Sequence, residues 1–466
     1  MKKIVLVCLE TEETSRLYPV FGLMYIADAL IKKGYNVKII HDYVSEEVFE
    51  KIINEAKDAL FVGFTTKTSP RLKHVYEMSK KLKEKNNNVI VWGGVHASLT
   101  AEDTIRNDFV DFIVIGEGEL AMPELADAIS RGKKYDNIKG LVFKRDDKVI
   151  VNEQNKFIKN LDDFSPRWEL VDAGRYLNYN NELVLVESRG CPSRCSYCYN
   201  VSFNKRLWRA HSADFVVKMV NELKKKHDIR SIAFYSDNFV VNKRRALEIV
   251  TKLNMPWSAE IRADYFDEGF IKEIKNTKCK RLYIGAESGS DKVLATLKKD
   301  IKTSQIEKAV KIARENDIEI TCAFMVGIPG ETEEDRNLTL DFIHRLVNEH
   351  KIDIDGPKFL NPYPGTELYD ICKERGWKPP NGVLEWANYS RMTYNLPFLT
   401  KREINDVKIY QRVIALLVYI NSRKGLKGLF MPLKMVEDYR LSNKVTFFPI
   451  EVYALKFILD IKNRMR

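Results

Sequence analysis

The stretch that decides the fold is Gly190-Cys-Pro-Ser-Arg-Cys-Ser-Tyr-Cys-Tyr-Asn200, in which three cysteines follow a CxxxCxxC spacing. A disulfide would leave one of these thiols unpaired, and structural zinc normally has four ligands, whereas no second CxxC or HxxxH follows downstream. Soft thiolates suit an iron–sulfur cluster, and Cys191, Cys195 and Cys198 would hold a four-iron cluster by three corners. The fourth iron would be open to another ligand, which indicates chemistry at the cluster.

An aromatic residue, Tyr197, precedes the third cysteine, and the stretch resembles the CxxxCxΦC motif of radical S-adenosylmethionine (SAM) enzymes, where Φ is aromatic. The resemblance implies a [4Fe-4S] cluster, with the amino and carboxylate groups of SAM on its open iron. It also implies that an electron from the cluster cleaves SAM to a 5′-deoxyadenosyl radical. Three incidental cysteines on a buried turn are the alternative, but they would not explain the Gly-Cys-Pro entry or the aromatic residue.

Length and composition set broad limits. The 466 residues predict two or three domains, each with its own core. Seven cysteines and no leader of the secretory type favour a reducing, cytoplasmic setting. The longest apolar run, Val413–Ile420, is far shorter than the ~20 residues that span a bilayer. Of the net charge of +11, +6 falls in Ser422–Arg466, which has ten basic and four acidic residues.

Residues 1–135 are expected to form a doubly wound, Rossmann-like α/β domain. Apolar strand patterns alternate with segments of helical spacing, and such parallel sheets bind ligands at the carboxyl ends of their strands. The predicted strands are Lys2–Leu9, Val37–His41, Ala59–Thr65, Val89–Trp92 and Phe112–Ile115.

Three stretches of this region resemble those of the cobalamin-binding domain that precedes the radical SAM domain in one large subfamily. They are Pro-x-x-Gly-Leu ending at Leu23, Gly-Gly-x-His-x-Ser beginning at Gly93, and Gly-Glu-Gly-Glu beginning at Gly116. Each one alone is better explained by an ordinary tight turn. Together, the resemblance implies cobalamin contacts at Gly22, Leu23, Thr65, Thr66, Gly93, Gly94, His96, Gly116, Glu117, Gly118 and Glu119.

The region departs from known cobalamin carriers in one respect. Those carriers bind cobalt through the histidine of a DxHxxG motif, which this chain lacks; Thr65–Pro70 follows the third strand instead. His41, His74 and His96 remain possible ligands, but a histidine in a Gly-Gly turn more often bonds to backbone or to a cofactor amide. We therefore expect cobalamin without a protein histidine on cobalt.

Residues 136–181 are predicted to form a hairpin and a linker, and residues 182–378 a partial (βα)₆ barrel of the TIM type. Ser212 is a good N-cap for the first barrel helix. Active sites of such barrels lie at the carboxyl ends of the strands. The predicted strands are Leu183–Glu187, Ile232–Tyr235, Trp257–Ile261, Leu282–Gly285, Ile318–Val326 and Asp353–Leu360.

Several predicted strand ends match the radical SAM resemblance. Tyr283–Ser290 resembles the fourth-strand motif whose acid and hydroxyl hold the SAM ribose or methionyl group, and Met325–Thr332 resembles the fifth-strand motif that faces adenine. Arg262 could bind the SAM carboxylate or be structural, and Asp237 could face SAM or substrate. The resemblance therefore implies SAM contacts at Tyr197, Asp237, Arg262, Glu287, Ser288, Gly327, Pro329 and Gly330. The remaining cysteines are expected to be small buried hydrophobes: Cys8, Cys279, Cys322 and Cys372.

Residues 379–466 are expected to be mainly helical, with a capping box at Thr400 and Glu403. Large apolar side chains lie among lysines near the end of the chain. Such a surface fits an anionic membrane interface or a lipid-like substrate, whereas a helical cap on the barrel with solvated lysines explains it slightly better.

The combined resemblance implies a cobalamin-dependent radical SAM enzyme that methylates an unactivated carbon of a small-molecule or lipid-like substrate. The alternatives are radical ring formation or rearrangement on a tetrapyrrole-like or lipid-like substrate, and a non-catalytic cobalamin carrier or sensor. An electron donor such as flavodoxin or ferredoxin is implied. Nucleic acid is not expected as a partner, because no RNA-binding pattern accompanies the basic charge.

Overall fold

The computed structural model describes residues 1–11, 16–389, 396–422 and 427–446. Its strands are β1 (Lys3–Glu10), β2 (Asn36–Tyr43), β3 (Ala59–Thr65), β4 (Ile90–Gly93), β5 (Phe112–Val114), β6 (Leu141–Arg145), β7 (Lys148–Val151), β8 (Glu182–Leu185), β9 (Ser188–Arg189), β10 (Arg209–Ala210), β11 (Ser231–Phe234), β12 (Trp257–Ile261), β13 (Cys279–Glu287), β14 (Glu319–Val326) and β15 (Asp353–Phe359).

The helices follow the predicted alternation with the strands. They are α1 (Phe21–Lys32), α2 (Glu46–Ala56), α3 (Arg71–Asn86), α4 (Val95–Leu99), α5 (Ala101–Thr104), α6 (Gly118–Arg131), α7 (Asn200–Phe203), α8 (Ala213–Lys224), α9 (Lys243–Leu253), α10 (Glu268–Ile274), α11 (Asp291–Thr296), α12 (Thr303–Glu315), α13 (Glu333–Glu349), α14 (Glu367–Glu374), α15 (Gly382–Asn388), α16 (Lys401–Ser422) and α17 (Lys427–Asn443). Short 3₁₀ turns occupy Leu161–Asp163, Trp168–Leu170, Ala173–Tyr176 and Ala263–Tyr265.

Two compact units share the chain. The first comprises Met1–Pro192, Tyr199–Ser236 and Lys378–Thr393, and the second comprises Ser193–Cys198, Asp237–Trp377 and Tyr394–Arg466. The boundaries of these two units differ from the domain ranges predicted from the sequence, and those ranges remain proposals.

The first unit is built on a sheet with the strand order β2-β1-β3-β4-β5-β6-β7. Strands β1 to β5 are parallel, as the alternation of strands and helices predicts, and their order reverses between β1 and β3. An apolar cluster in its core includes Leu6, Met24, Phe61 and Val91, all nearly inaccessible to solvent. This confirms the predicted doubly wound, Rossmann-like sheet.

The predicted hairpin extends this sheet. Strand β6 pairs antiparallel with β5, and β7 pairs antiparallel with β6. The sequence pattern indicates the two strands but not the sheet edge that they join, because that depends on the exposed groups of β5.

Strands of the second series also lie where the sequence predicts them. In the first unit β8 pairs parallel with β11, and in the second unit β12, β13, β14 and β15 pair in that order, all parallel. Ser212 caps α8, because its hydroxyl accepts a hydrogen bond from the Phe215 N–H at 3.1 Å. These elements form the α/β framework that the barrel prediction requires.

The described C-terminal helices α16 and α17 belong to the second unit. Thr400 and Glu403 form the predicted capping box of α16, with the Thr400 N–H donating to Glu403 at 2.8 Å. On α17, Asp438 accepts hydrogen bonds from Asn348 at 2.7 Å and from Lys434 at 2.5 Å. These contacts match the helical-cap alternative for α16 and α17.

The large side chains Met431 and Met435 of α17 are exposed. Among the described residues, no helix combines the length and the apolar character needed to cross a membrane. Leu433 of the same helix is half-buried. The remaining apolar residues on which the lipid-contact expectation depends lie outside the described residues or side chains: Leu426, Leu429, Phe430 and residues 447–466.

Candidate active site

The cysteine loop is entered through a tightly constrained glycine. Strands β9 and β10 pair antiparallel, with Arg189 opposite Arg209, and Gly190 follows with φ +83°. A Cβ atom on Gly190 would lie 2.0 Å from the Leu207 carbonyl oxygen. Only glycine is compatible with this entry, which explains the Gly-Cys-Pro sequence.

The loop places its thiols in protected positions. Cys191 and Cys195 are buried and Cys198 is half-buried. In the second unit, the Ser196 N–H donates to the Leu297 carbonyl, and the Ser196 carbonyl accepts from the Leu368 N–H, both at 2.9 Å. Three shielded soft ligands with an anchored backbone are a donor set that fits an iron–sulfur cluster.

Arg262 faces this loop instead of solvent. Its Nε and Nη2 atoms bind the two carboxylate oxygens of Asp264 at 3.0 and 3.1 Å, and Nη2 also donates to the Lys299 carbonyl at 2.7 Å. The Nη1 atom lies 3.5 Å from Sγ of Cys195. The donors that were expected to bind the SAM carboxylate are thus directed at protein atoms, including a cysteine of the loop.

Tyr197, Glu287 and Lys299 form one buried cluster. The Tyr197 hydroxyl donates to Glu287 at 2.8 Å, and the Lys299 ammonium lies 2.8 Å from the same carboxylate oxygen and 3.1 Å from the hydroxyl. Burial, followed by the negative charge of Glu287, raises the pKa of Tyr197 well above its ordinary range. Lys299, which sequence reasoning missed, therefore neutralises the carboxylate that was expected to hold SAM.

The close contact around Glu287 also explains Gly285 in β13. A Cβ atom on Gly285 would lie 2.4 Å from a Glu287 carboxylate oxygen and 2.9 Å from the Lys299 ammonium. Glu287 itself has φ +66°, which is uncommon for a residue with a side chain. The end of β13 is therefore shaped to hold the carboxylate in one position.

Ser288 has a different environment from the one expected. Its hydroxyl is fully buried and lies 3.0 Å from the Thr339 hydroxyl of α13. Two residues further on, the Ser290 hydroxyl donates to Asp335 at 2.8 Å. Both serines thus attach the end of β13 to α13.

Glu331, the residue that follows the Gly327–Gly330 turn, bonds back to the start of the turn. The Gly327 N–H donates to the Glu331 carboxylate at 2.6 Å, and both glycines have positive φ. Pro329 is buried, whereas Gly330 is exposed. Burial raises the pKa of Glu331 to about 7, although the Gly327 N–H and the Arg336 charge act in the opposite direction. Glu331 is therefore the side chain that shapes the backbone edge expected to face adenine.

Asp237 is half-buried and lies near a second acid, Glu260 of β12. Although Glu260 reaches solvent, protein surrounds much of its carboxylate. Burial, followed by the charge of Asp237, raises the pKa of Glu260 to about 7. The sequence indicated Asp237 but not that it would share its surroundings with a second carboxylate.

At the carboxyl ends of β3 and β4, the structure brings Thr65, Thr66, Gly93 and Gly94 together. The Thr66 N–H and hydroxyl both reach the Gly93 carbonyl at 2.8 Å. Gly94 has φ +93°, and a Cβ atom there would lie 2.6 Å from the Thr66 carbonyl oxygen and 3.0 Å from the Thr65 hydroxyl. Adjacent backbone segments thus pass very close to each other at this edge of the sheet.

His96 belongs to the same edge. Its Nδ1 atom lies 2.9 Å from the Thr68 hydroxyl, and its ring meets the Trp386 ring edge-on at 6.1 Å. Within the described part of the chain, its buried Nε2 atom has no hydrogen-bond partner. Burial lowers the pKa of His96 to about 4, so the ring is neutral at neutral pH. An unpartnered nitrogen at this edge fits a cofactor group as its partner.

The Gly-Glu-Gly-Glu turn precedes α6 after β5. Gly116 donates its N–H to the Ser98 hydroxyl at 3.0 Å, and a Cβ atom on Gly118 would lie 2.8 Å from Ile26. Glu117 and Glu119, for which cobalamin contacts are predicted, form ion pairs with two arginines: Arg189 and Arg209.

The Pro-x-x-Gly-Leu stretch begins α1. Gly22 is exposed, and a Cβ atom there would meet nothing within 4 Å. Leu23 is only 4% exposed and belongs to the apolar core. Leu23 therefore supports the first unit from within, and its side chain does not line a surface.

The remaining histidine candidates have protein neighbours. His41 lies 3.0 Å from the Tyr176 hydroxyl, and His74 lies 3.5 Å from Glu77. His41 is also close to Cys8 and Glu10, but the Arg71 guanidinium already binds Glu10 and lies 3.6 Å from the Cys8 sulfur. An arginine thus supplies the positive charge that a metal ion would bring there.

Comparison with known proteins agrees with these features. Residues 186–343 match the radical SAM superfamily, and residues 11–126 match the B12 binding domain. The chain is 31% identical to an uncharacterized methyltransferase of Pyrococcus horikoshii over 92% of this chain and 95% of that protein. The chain belongs to the radical SAM superfamily, in the group whose members carry a B12-binding domain. It is an enzyme whose cofactors are SAM, a [4Fe-4S] cluster and cobalamin.

Two further proteins illustrate the range of this group. The anaerobic magnesium-protoporphyrin IX monomethyl ester cyclase of Synechocystis is 26% identical over 77% of this chain and 73% of its own length. The solved structure of OxsB, a cobalamin-dependent SAM radical enzyme with aqua-cobalamin and SAM bound, matches with a TM-score of 0.75 at 15% identity, over 99% of this chain and 75% of that one. The structural match confirms the fold class.

Proposed function

We propose that the protein is a C-methyltransferase that places a methyl group on an unactivated carbon of a small molecule. The observation that carries this proposal is the presence of both cofactor-binding regions in one chain whose relative, 31% identical along nearly its full length, is named a methyltransferase. When bound, the cluster and SAM supply a 5′-deoxyadenosyl radical that abstracts hydrogen, and cobalamin supplies the methyl group.

The cysteine loop would hold the cluster through Cys191, Cys195 and Cys198. Burial of these thiols limits access of water and oxidants to the ligands. Arg262 would donate a hydrogen bond to the Cys195 ligand, as its 3.5 Å separation from that sulfur allows.

SAM would lie along the ends of β13 and β14. Tyr197, Glu287 and Lys299 form a preorganised group of fixed charge there, while the Gly327–Gly330 turn presents a backbone edge closed by Glu331. Asp237 would approach SAM or substrate.

Cobalamin would lie at the carboxyl ends of β3 and β4 in the first unit. Thr66 and Gly94 approach each other closely there, and the buried Nε2 atom of His96 has no hydrogen-bond partner among the described residues. The neutral ring is suited to a hydrogen bond with an amide side chain of the corrin.

Ring formation is the second candidate, favoured by the 26% identity to the magnesium-protoporphyrin cyclase. The family match favours an enzyme over the non-catalytic carrier or sensor. We further propose that flavodoxin or ferredoxin donates the electron and that the substrate is a small or lipid-like molecule. The exposed apolar side chains of α17 would support a peripheral contact with a membrane. The sequence-based domain ranges stay part of this proposal.

The test begins with anaerobic purification, cluster reconstitution in the presence of hydroxocobalamin, and analysis of iron, sulfide and cobalt. The enzyme is then incubated with a reductant and SAM that carries a deuterated methyl group. We expect a [4Fe-4S] cluster and one cobalamin per chain, with the labelled methyl group transferred to cobalamin. A Cys195→Ala variant should lose 5′-deoxyadenosine formation.

The outcomes separate the candidates. Iron without cobalt would overturn the methyl-transfer mechanism. Both cofactors with 5′-deoxyadenosine but no methyl transfer to cobalamin would favour ring formation. The mass of the product then distinguishes methylation from ring formation, because methylation adds one carbon whereas cyclisation removes hydrogen.

A further inference from the structure

We propose that Glu117 and Glu119 are positioning residues of the cysteine loop: through Arg189 and Arg209 they hold the strand that leads into Cys191. This inference rests on the proposed role of Cys191 as a cluster ligand. It assigns to the Gly-Glu-Gly-Glu turn of the B12-binding domain a function at the entry of the cysteine loop, in place of direct contact with the corrin.

One guanidinium bridges the two acids. The Nη1 atom of Arg189 lies 2.9 Å from Glu117, and its Nη2 atom lies 2.6 Å from Glu119. Arg209 binds both carboxylate oxygens of Glu117, at 2.7 and 2.8 Å. The planar fork of arginine matches this geometry, whereas a lysine ammonium could not span both acids in the same way.

Further contacts fix the group on every side. The Ile158 N–H donates to Glu117 at 2.9 Å, and the Ile158 carbonyl accepts from Arg209 at 3.1 Å. Arg189 lies over the Tyr25 ring and Arg209 over the Phe157 ring, at 4.8 and 4.7 Å from the ring centroids. The two acids thus have protein partners at their carboxylates and do not need a ligand to satisfy them.

Because these ion pairs are buried, the loss of either partner is expected to disturb the group. The Glu119 and Glu117 side chains are 3% and 7% exposed, and that of Arg209 is 9% exposed. Burial alone would raise the pKa of Glu117, but the charges of Arg189 and Arg209 hold it below its ordinary value. Removing one member of such a group leaves a buried charge without its partner.

The arginines connect the acids to the loop through the backbone. Arg189 and Arg209 are directly opposite each other in the β9–β10 pair, and Gly190 and Cys191 follow Arg189 immediately. Gly190 joins Arg189 to Cys191 with φ +83° and passes close to Leu207, since an added Cβ atom would lie 2.0 Å from the Leu207 carbonyl oxygen. A shift of Arg189 would therefore be transmitted to the Cys191 thiol.

The experiment compares Glu119→Gln, Glu117→Gln and Arg189→Lys with the wild-type full chain after anaerobic reconstitution with hydroxocobalamin. Glu153→Gln, which removes an exposed ion pair with Lys139 in the same unit, is the control. Iron and sulfide content with the EPR signal of the reduced cluster report on the loop, and the visible spectrum and cobalt content report on the corrin. Far-UV circular dichroism checks the fold.

We expect the three variants to bind the cluster about tenfold more weakly, the lower end of what outer-shell changes cost, while they retain cobalamin. The Glu153→Gln control should match the wild type in cluster binding and in cobalamin content. Loss of cobalamin with an intact cluster, or equal loss of both from a folded protein, would overturn the inference. If Glu119→Gln does not fold, Glu119→Asp, which keeps the charge but shortens its reach, is judged by the same criteria.

The wild type separates this inference from the proposed function. A wild-type chain that takes up no iron would overturn both. A wild type that loads iron and cobalamin, with variants that retain their clusters, would overturn the positioning role alone.

Discussion

The Nη1 atom of Arg262 lies 3.5 Å from Sγ of Cys195, while Asp264 and the Lys299 carbonyl hold the rest of the guanidinium in place. Arg262 is 7% exposed, so little solvent screens its charge from the sulfur. A fixed donor beside a cysteine ligand is one of the means by which proteins set cluster potentials.

Replacing Arg262 with Gln is therefore expected to make the reduction potential of the cluster more negative, because a positive charge beside a thiolate favours the reduced, more negative cluster. Arg262→Lys should fall between the two. EPR-monitored redox titration of the reconstituted enzyme measures the shift. Arg194→Gln is the control, since Arg194 of the same loop forms an exposed pair with Asp300. An unchanged potential combined with weaker SAM binding would instead restore the carboxylate-binding role.

Lys299→Gln should strongly destabilise the protein. Lys299 and Glu287 are buried, and removing the ammonium leaves the carboxylate without its charge partner, which costs about 3–5 kcal/mol in buried pairs. The adjacent Lys298→Gln is a matched control, because Lys298 forms an exposed pair with Glu367 and its loss should cost at most about 1 kcal/mol. Urea denaturation of the cofactor-free protein gives the free energy of unfolding of each variant.

The Lys299→Gln, Glu287→Gln double variant tests whether the unpaired buried carboxylate causes the loss of stability. If the buried charge is the cause, removing both charges should recover part of the stability. Equal losses for Lys298→Gln and Lys299→Gln would contradict the assignment of a buried pair.

Sequence patterns were sufficient where a feature depends on local spacing. The cysteine motif, the N-cap at Ser212 and the strand–helix alternation are all of this kind. Lys299 and Asp264 were missed because each is a single charged residue outside any motif, whose partner is decided only by the fold. Glu331 lies within the Met325–Thr332 motif, but the spacing does not indicate that its carboxylate accepts a hydrogen bond from the Gly327 N–H. Even the Tyr283–Ser290 stretch, which marks Glu287, contains nothing that indicates a lysine at position 299.

The Gly-Glu-Gly-Glu turn shows a different limit. Its spacing locates the end of β5 correctly, but spacing does not reveal what the carboxylates meet. Arg189 lies 70 residues beyond Glu119 along the chain, and a sequence contains no signal for that contact. A motif can therefore indicate a site while leaving the role of its charged side chains open.

His96 should make the stability of the protein depend on pH. Burial lowers its pKa to about 4, whereas the unfolded chain has a value of about 6.5. Between these values the unfolded state binds the extra proton, so stability rises with pH by up to about 1.4 kcal/mol per unit from this residue. The contribution is fully present above pH 6.5 and is lost as pH falls toward 4.

Unfolding free energies of the wild type and His96→Gln between pH 4.5 and 7.5 test this expectation. The variant should show a smaller rise with pH than the wild type. His74→Gln, on the surface of α3, should retain the wild-type slope because His96 is intact. Identical slopes for wild type and His96→Gln would contradict the buried, neutral state of His96.

Gly94→Ala should disrupt the edge formed by β3 and β4. The new Cβ atom would lie 2.6 Å from the Thr66 carbonyl oxygen and 2.8 Å from the Thr66 nitrogen, so the backbone must move in addition to adopting an unfavourable φ of +93°. We expect lower stability and weaker cobalamin retention, measured by urea denaturation and by cobalt content after reconstitution. Gly34→Ala separates the two causes, because Gly34 has φ +86° but no atom within 4 Å of a new Cβ. It should lose about 1–2 kcal/mol from backbone strain and keep its cobalamin. If Gly34→Ala and Gly94→Ala retain cobalamin equally, the close approach at Thr66 does not shape the corrin site.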